Sequence, residues 1–257
     1  MKKTKFLFFI IITISLLTGC SNTQNKIQKV FQTNSAAKVK SDYKEILKLL
    51  VSFKQKLNIR NPKNYNKTLS VSISKNINTF QNDIKLKVNS HSLETYNEYL
   101  QYAFDKNPNI KNRNDLLIVG LYKLIYGAYD INAGHQITAL TYDIKKLQKL
   151  YYNLNSIKWR IKSYRDDQQN YLFLTWQKNW QIQLEKKIKT GETPSWKMIQ
   201  NLEYIKQNRE TIFESSNFSF EVLLSKMIYN VKGTLKNVGE EPIDVSIETM
   251  KSLILFL

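Results

Sequence analysis

Residues 116–126 read Leu-Leu-Ile-Val-Gly-Leu-Tyr-Lys-Leu-Ile-Tyr, and this run constrains the fold more than any other stretch. Coiled into a helix, Leu116, Leu117, Ile118, Val119, Leu121, Leu124 and Ile125 face every direction, so the helix has no side to offer water. A helix apolar all round is a buried one. The run is far shorter than the roughly 20 residues that a membrane-crossing helix needs. It therefore has to be surrounded by protein, with Asn114 or Asp115 expected as its N-cap. The rest of the chain must then supply amphipathic elements with one apolar face each.

Those elements read mostly as helices. Only seven glycines and four prolines occur in 257 residues, too few for a turn-rich sandwich or barrel. Ser41 is the expected N-cap of a first helix, with Asp42 and Glu45 in its electropositive first turn. Tyr43, Ile46, Leu47, Leu50 and Leu57 form its inner face, and Asn61-Pro62 ends it. Leu69, Val71 and Ile73 alternate like a strand, but Ile73, Ile77, Phe80, Ile84 and Val88 keep helical spacing, which predicts a second helix. A third is expected from near Ser92, carrying Leu93, Tyr96, Leu100 and Ala103 inward as far as Asn107-Pro108.

After the central run, residues 130–136 form a polar connection containing Gly134 and His135. Ile137, Leu140, Ile144, Leu147, Tyr151 and Leu154 then repeat at intervals of three and four, the pattern of a bundle seam. Residues 165–170 read as a turn, and Phe173, Trp176, Trp180, Leu184 and Ile188 as a further helical stripe. Lys186, Lys187, Lys189 and Gly191 mark its C-terminus. Thr193-Pro194 predicts a restart with a cap and an N1 proline, followed by Trp196, Ile199, Leu202 and Ile205. Phe220, Leu223, Leu224, Met227 and Ile228 predict another helix, punctuated by Gly239 and Pro242, and Asp244 a last one running to Leu257. The expected fold class is all-α: a bundle of about seven or eight helices over residues 41–257.

The first twenty residues follow different rules. Lys2, Lys3 and Lys5 precede an apolar run from Phe6 to Gly19, too short to span a bilayer and ordered like an export signal. Leu17-Thr18-Gly19-Cys20 closes it. This leader resembles those of bacterial lipoproteins, which end in a Leu-small-small-Cys lipobox. The resemblance covers the leader alone. It implies a signal peptide of residues 1–19, cleavage before Cys20, and acylation of the Cys20 thiol and its new amine. Stable anchoring needs more than one acyl chain, which is consistent with that chemistry. Cys20 is the single cysteine, so it has no intramolecular disulfide partner. Ser21 follows it where an aspartate often marks inner-membrane retention, so the resemblance favours the outer membrane if the cell is diderm. Residues 20–40 are otherwise polar and read as a tether of roughly 25 Å, at ~5–6 Å times the square root of its length.

Setting the three leader lysines aside leaves 36 basic residues against 21 acidic, a surplus of 15. Such a surplus attracts anionic headgroups, phosphorylated glycans or acidic partners. It is also what heavy use of lysine, asparagine and isoleucine produces, and no run of like charges forms a binding arm. No nucleic-acid recognition motif is present. Nor is there a serine-nucleophile elbow, a zinc-protease motif, a phosphate loop or a dinucleotide fingerprint, and no cofactor is expected.

The densest polar and aromatic collection lies between Tyr129 and Trp180. His135, Trp159, Arg160, Arg165, Asp167, Trp176 and Trp180 are its candidate ligand-binding residues, with rings to stack on sugar faces and charges to meet hydroxyls or carboxylates. An ordinary core with satisfied aromatic side chains accounts for the same residues. Separately, Phe213-Glu214-Ser215-Ser216-Asn217 resembles the catalytic Glu-Ser of lytic transglycosylases, in which a raised-pKa acid protonates the glycosidic oxygen. The downstream Gly-Leu-Met-Gln-type segment of that family is missing, and Ser216 also reads as a helix cap. The sequence thus predicts a lipid-anchored envelope protein, non-enzymatic, that binds the bilayer through Cys20 and an envelope protein or glycan through its body. The other readings are a peptidoglycan-active enzyme and a periplasmic small-ligand binder.

Overall fold

The computed structural model describes residues 36–130, 143–207, 220–242 and 246. Among them the protein is all-α, with one two-residue β-hairpin. Helix α1 spans residues 36–60. It buries Val39, Tyr43, Ile46, Leu50, Phe53 and Leu57 on one stripe and stops before Pro62 as expected. Ser41 does not cap it. The backbone is already helical at residue 36, so residues 36–40 belong to the helix and not to a tether. The extra turn forms because Val39 extends the buried stripe, while Lys38 donates to Asp42 at 2.7 Å. Asp42, expected in an exposed first turn, is 2 % exposed and also accepts from Thr234.

Helix α2 (Lys67–Thr79) starts at Asn66, whose side chain accepts from Leu69 N–H, and ends at Phe80 in the left-handed region at φ 56°. The helix predicted through Ile84 and Val88 therefore stops short. A non-glycine residue at positive φ is unfavourable, and here the Phe80 ring packs edge-on against Tyr43 at 5.9 Å. The chain then extends into β1 (Lys87–Val88), turns at Asn89 and Ser90, both at positive φ, and returns as β2 (His91–Ser92). Two central residues at positive φ suit the twist of a tight hairpin. Ser92, predicted to open a helix, thus sits in a strand. Helix α3 (Tyr96–Ala103) begins one turn later, where Thr95 and Glu98 form a reciprocal capping box.

Helix α4 (Arg113–Ala128) is the buried centre that its composition demanded. Its N-cap is Asn112, not Asn114 or Asp115; those two lie in the first turn, fully buried. Asn114 donates to Asn58 Oδ1 at 2.9 Å and to Asn61 O at 3.2 Å, which ties the start of α4 to the end of α1. Arg113 donates to three carbonyls, of Ala103, Asp105 and Asn107, and so clamps the connection from α3. Gly120 permits the close α3–α4 approach: a Cβ there would lie 2.9 Å from Leu100.

Helix α5 (Ile144–Ser163) is capped by Asp143 and buries Leu147, Tyr151, Leu154, Ile157 and Ile161 between α4 and α9 (Phe220–Asn237). The predicted earlier part of this helix, with Ile137 and Leu140, lies outside the described residues, as does the predicted last helix from Asp244. Residues 165–170 turn as expected, closed by a bridge between Arg165 and Tyr171. The stripe from Phe173 to Ile188 is not one helix. Leu172 N–H bonds back to Tyr164 and Leu174 N–H goes to the Asn61 side chain, so this backbone is committed elsewhere. Helix α6 (Asn179–Lys189) begins only afterwards.

Gly191 follows α6 at φ 89°. The restart at Thr193-Pro194 falls instead at Ser195, which caps the short α7 (Trp196–Gln200), followed by α8 (Glu203–Lys206). Of the stripe predicted there, Leu202 is buried and Trp196 is 73 % exposed. Helix α9 buries Phe220, Leu223, Leu224 and Met227 as predicted. No helix among the described residues is long and apolar enough to cross a membrane.

Candidate functional site

The polar side chains that close the end of α1 also build a cleft. Asn61 donates to Leu174 O at 2.9 Å and accepts from Leu174 N–H at 2.8 Å, the pairing that one strand residue makes with another. This reciprocal clasp joins residues 113 positions apart and fixes the 165–174 segment beside the α1–α2 corner. Helix α6 and Tyr204 of α8 complete the walls, and the space between them has a volume of about 600 Å³. That is within the ~300–1,000 Å³ range of small-ligand sites.

Beside the apolar Ile59, Pro62, Leu174 and Ile182, the lining combines three chemistries. Arg60, Lys63, Arg165, Lys186 and Lys189 face one carboxylate, that of Glu185. Amide side chains come from Asn64, Gln168, Gln169, Asn170 and Asn179, and flat phenol rings from Tyr171 and Tyr204. Arg165 is held rigidly: its guanidinium stacks 3.8 Å above the Tyr171 ring and donates to Gln169 O at 2.9 Å and to Glu185 at 2.7 Å. Gln169 takes positive φ, 63°, to let the turn close around it. Lys186 and Lys189 stand at the last turn of α6, where the helix carbonyls favour cations, so the same placement that stabilises α6 charges the cleft.

Of the described candidates predicted from the sequence, only Arg165 lines this cleft. Asp167 is exposed on the outside of the turn, its N–H donating to Lys106 O at 3.0 Å. Trp159 and Arg160 both pack on Tyr164, the indole edge-on at 5.5 Å and the guanidinium at 4.9 Å from the ring centre, and burial pulls the Arg160 pKa down. Trp176 is 42 % exposed beneath the Lys162 ammonium, and Trp180 is partly buried in the first turn of α6. The rest of the collection is dispersed as well: Tyr129 bonds Thr234 in the core, and Asp130 pairs with Lys146. Among the described residues these side chains do not share one pocket, because α5, the turn and α6 carry them to different contacts. His135, Glu214 and Cys20 lie outside the described residues.

Sequence reasoning missed Lys63, Tyr171, Tyr204, Lys186 and Lys189 as one group. They come from separate stretches, and the one local signal, the lysine run before Gly191, reads equally as helix termination. Among the described residues no group of three His, Cys, Asp or Glu side chains is placed to hold a metal ion.

A second polar cluster is buried between α1, α2 and the start of α4. Lys54 donates to Ser70 and Ser74, and Asp115 accepts from Asn66 N–H at 2.8 Å. Burial pushes the Asp115 carboxyl up to about 6 and pulls the Lys54 ammonium down. The molecule is thus a helical bundle with a cationic, amide-lined cleft at one corner. No protein-family model, curated protein or solved structure matches the chain.

Proposed function

We propose that this protein is a lipid-anchored cell-envelope protein whose helical body is a non-enzymatic binding module. Cys20, acylated and N-terminal after cleavage, holds it to the bilayer, and the polar residues behind Cys20 lift the body off the headgroups. The observation that carries the reading is the complete Leu17-Thr18-Gly19-Cys20 box behind a lysine head and a short apolar run. The basic surplus and the cationic cleft support a body that captures an envelope partner carrying negative charge. With Ser21 after the cysteine, the outer membrane is the favoured address in a diderm cell.

The test is metabolic labelling with a radioactive fatty acid, read beside membrane fractionation. Wild-type protein is expected to take up label and to sediment with membranes. Cys20→Ala is expected to lose the label and to remain uncleaved. An unlabelled wild-type protein, or a Cys20→Ala variant labelled as strongly, would sink the proposal.

A further inference from the structure

We infer that the cleft between the α1–α2 corner, the 165–171 turn and α6 is a binding site for an acidic saccharide, a sugar chain bearing carboxylate or phosphate. This rests on the binding-module reading and gives its site a ligand class. The argument starts with charge. Lys63, Lys186 and Lys189 are exposed at the rim, and Arg165 is fixed in the wall, against the lone carboxylate of Glu185. Glu185 is engaged by Arg165 at 2.7 Å and lies 4.0 Å from Lys189, so it tempers those two cations, while Arg60, Lys63 and Lys186 add further positive charge to the lining.

The remaining lining discriminates among anions. Sugar hydroxyls donate and accept at once, and a primary amide does the same. Asn64, Gln168 and Asn179 bring such groups to the lining from three different segments. Tyr204 adds a flat, amphipathic ring, which suits the alternating C–H and O–H faces of a pyranose, whereas one face of Tyr171 is already covered by Arg165. A peptide of glutamates could use the cations and pair its backbone with the same amides, but it has no pyranose face to lay on a tyrosine ring, which makes it the control that separates sugar recognition from charge alone. The cleft volume of about 600 Å³ accommodates a short oligosaccharide segment.

The experiment is calorimetric titration of the full chain in detergent micelles. The probes are tri-galacturonate, its neutral methyl ester, glucose 6-phosphate and tri-glutamate. Tri-galacturonate or glucose 6-phosphate is expected to bind at least about tenfold more tightly than both the ester and tri-glutamate, and the stronger of the two acids identifies carboxylate or phosphate as the recognised group. The triple variant Lys63→Gln, Lys186→Gln, Lys189→Gln alters exposed side chains, keeps its helical circular dichroism, and should lose at least about tenfold in affinity for the preferred acid. Equal binding of the ester, equal or tighter binding of tri-glutamate, an unaffected triple variant, or no binding of any probe would each overturn the inference. None of these outcomes bears on fatty-acid labelling at Cys20, so the anchor and the cleft fail separately.

Discussion

Asp115 is a carboxylic acid that folding places in the wrong solvent. It is 1 % exposed, and its carboxyl moves from 3.8 to about 6, chiefly through loss of hydration, against the pull of the Asn66 N–H and the Lys54 charge. Between those two values the folded protein holds a proton that the unfolded chain releases. Stability from this group is therefore full below about pH 4 and falls as pH rises through about 6, by on the order of 3 kcal/mol. Asp115→Asn keeps an oxygen for Asn66 N–H and removes the charge. Urea unfolding should find the variant stabilised relative to wild type at pH 7.5 and the difference shrinking toward pH 4. A pH-independent difference would refute the account. Glu98 acts in the opposite sense in a lower window: backbone N–H donors from Thr95 and Glu94, with His91 beside them, hold its carboxyl down to about 2. Its contribution is present above the ordinary value of 4.5 and is lost as pH falls toward 2. Thr234 is a third such residue, linking Tyr129 at 3.0 Å to Asp42 at 3.1 Å across three helices. Thr234→Val preserves shape and strands part of that chain, so a loss of about 1–3 kcal/mol is expected by denaturant titration.

At the scale of elements, the two glycines of α4 separate packing from propensity. A methyl group at Gly120 would meet Leu100 at 2.9 Å and Tyr99 at 3.0 Å, whereas at Gly127 it would meet nothing within 4 Å. Gly120→Ala is expected to cost about 1–3 kcal/mol through overpacking of α3 on α4. Gly127→Ala should gain up to about 1 kcal/mol from helix propensity. Thermal unfolding of the pair distinguishes them by sign. The same level explains where sequence periodicity misled. Phe80, Ile84 and Val88 do repeat at helical intervals, but Phe80 turns left-handed onto Tyr43 and the chain leaves the helix there. Thr95 and Glu98 carry a capping box that is legible in the sequence, and it outranks the apolar residues preceding it. Trp176 sits one turn before Trp180, yet the backbone between Leu172 and Thr175 is tied to Tyr164, Asn61 and Gln177 rather than to its own preceding turn.

For the molecule as a whole, Asn61 couples fold to cleft. It donates to Leu57 O and clasps Leu174 from both sides, so the end of one helix sets the position of a segment far along the chain. Asn61→Ala is expected to lower stability by about 1–3 kcal/mol, because the half-buried backbone groups of Leu174 lose their partners. Amide hydrogen exchange at Leu174 should accelerate more than exchange in the centre of α4, which would separate a local loosening of the cleft from global unfolding. Uniform acceleration would instead mean that the clasp serves the whole core and not the cleft in particular. The all-α class and the buried α4 were determined by the sequence itself, since an all-round apolar helix and a shortage of glycine and proline leave few other solutions. The long amphipathic faces of α1, α5 and α9 followed for the same reason, because 3.6-residue periodicity is a local property. The cleft was decided only by tertiary structure. Its cations, amides and rings lie on the α1–α2 corner, the 165–171 turn, α6 and α8, and nothing in local periodicity relates those stretches. Their meeting depends on hydrogen bonds between residues more than a hundred positions apart.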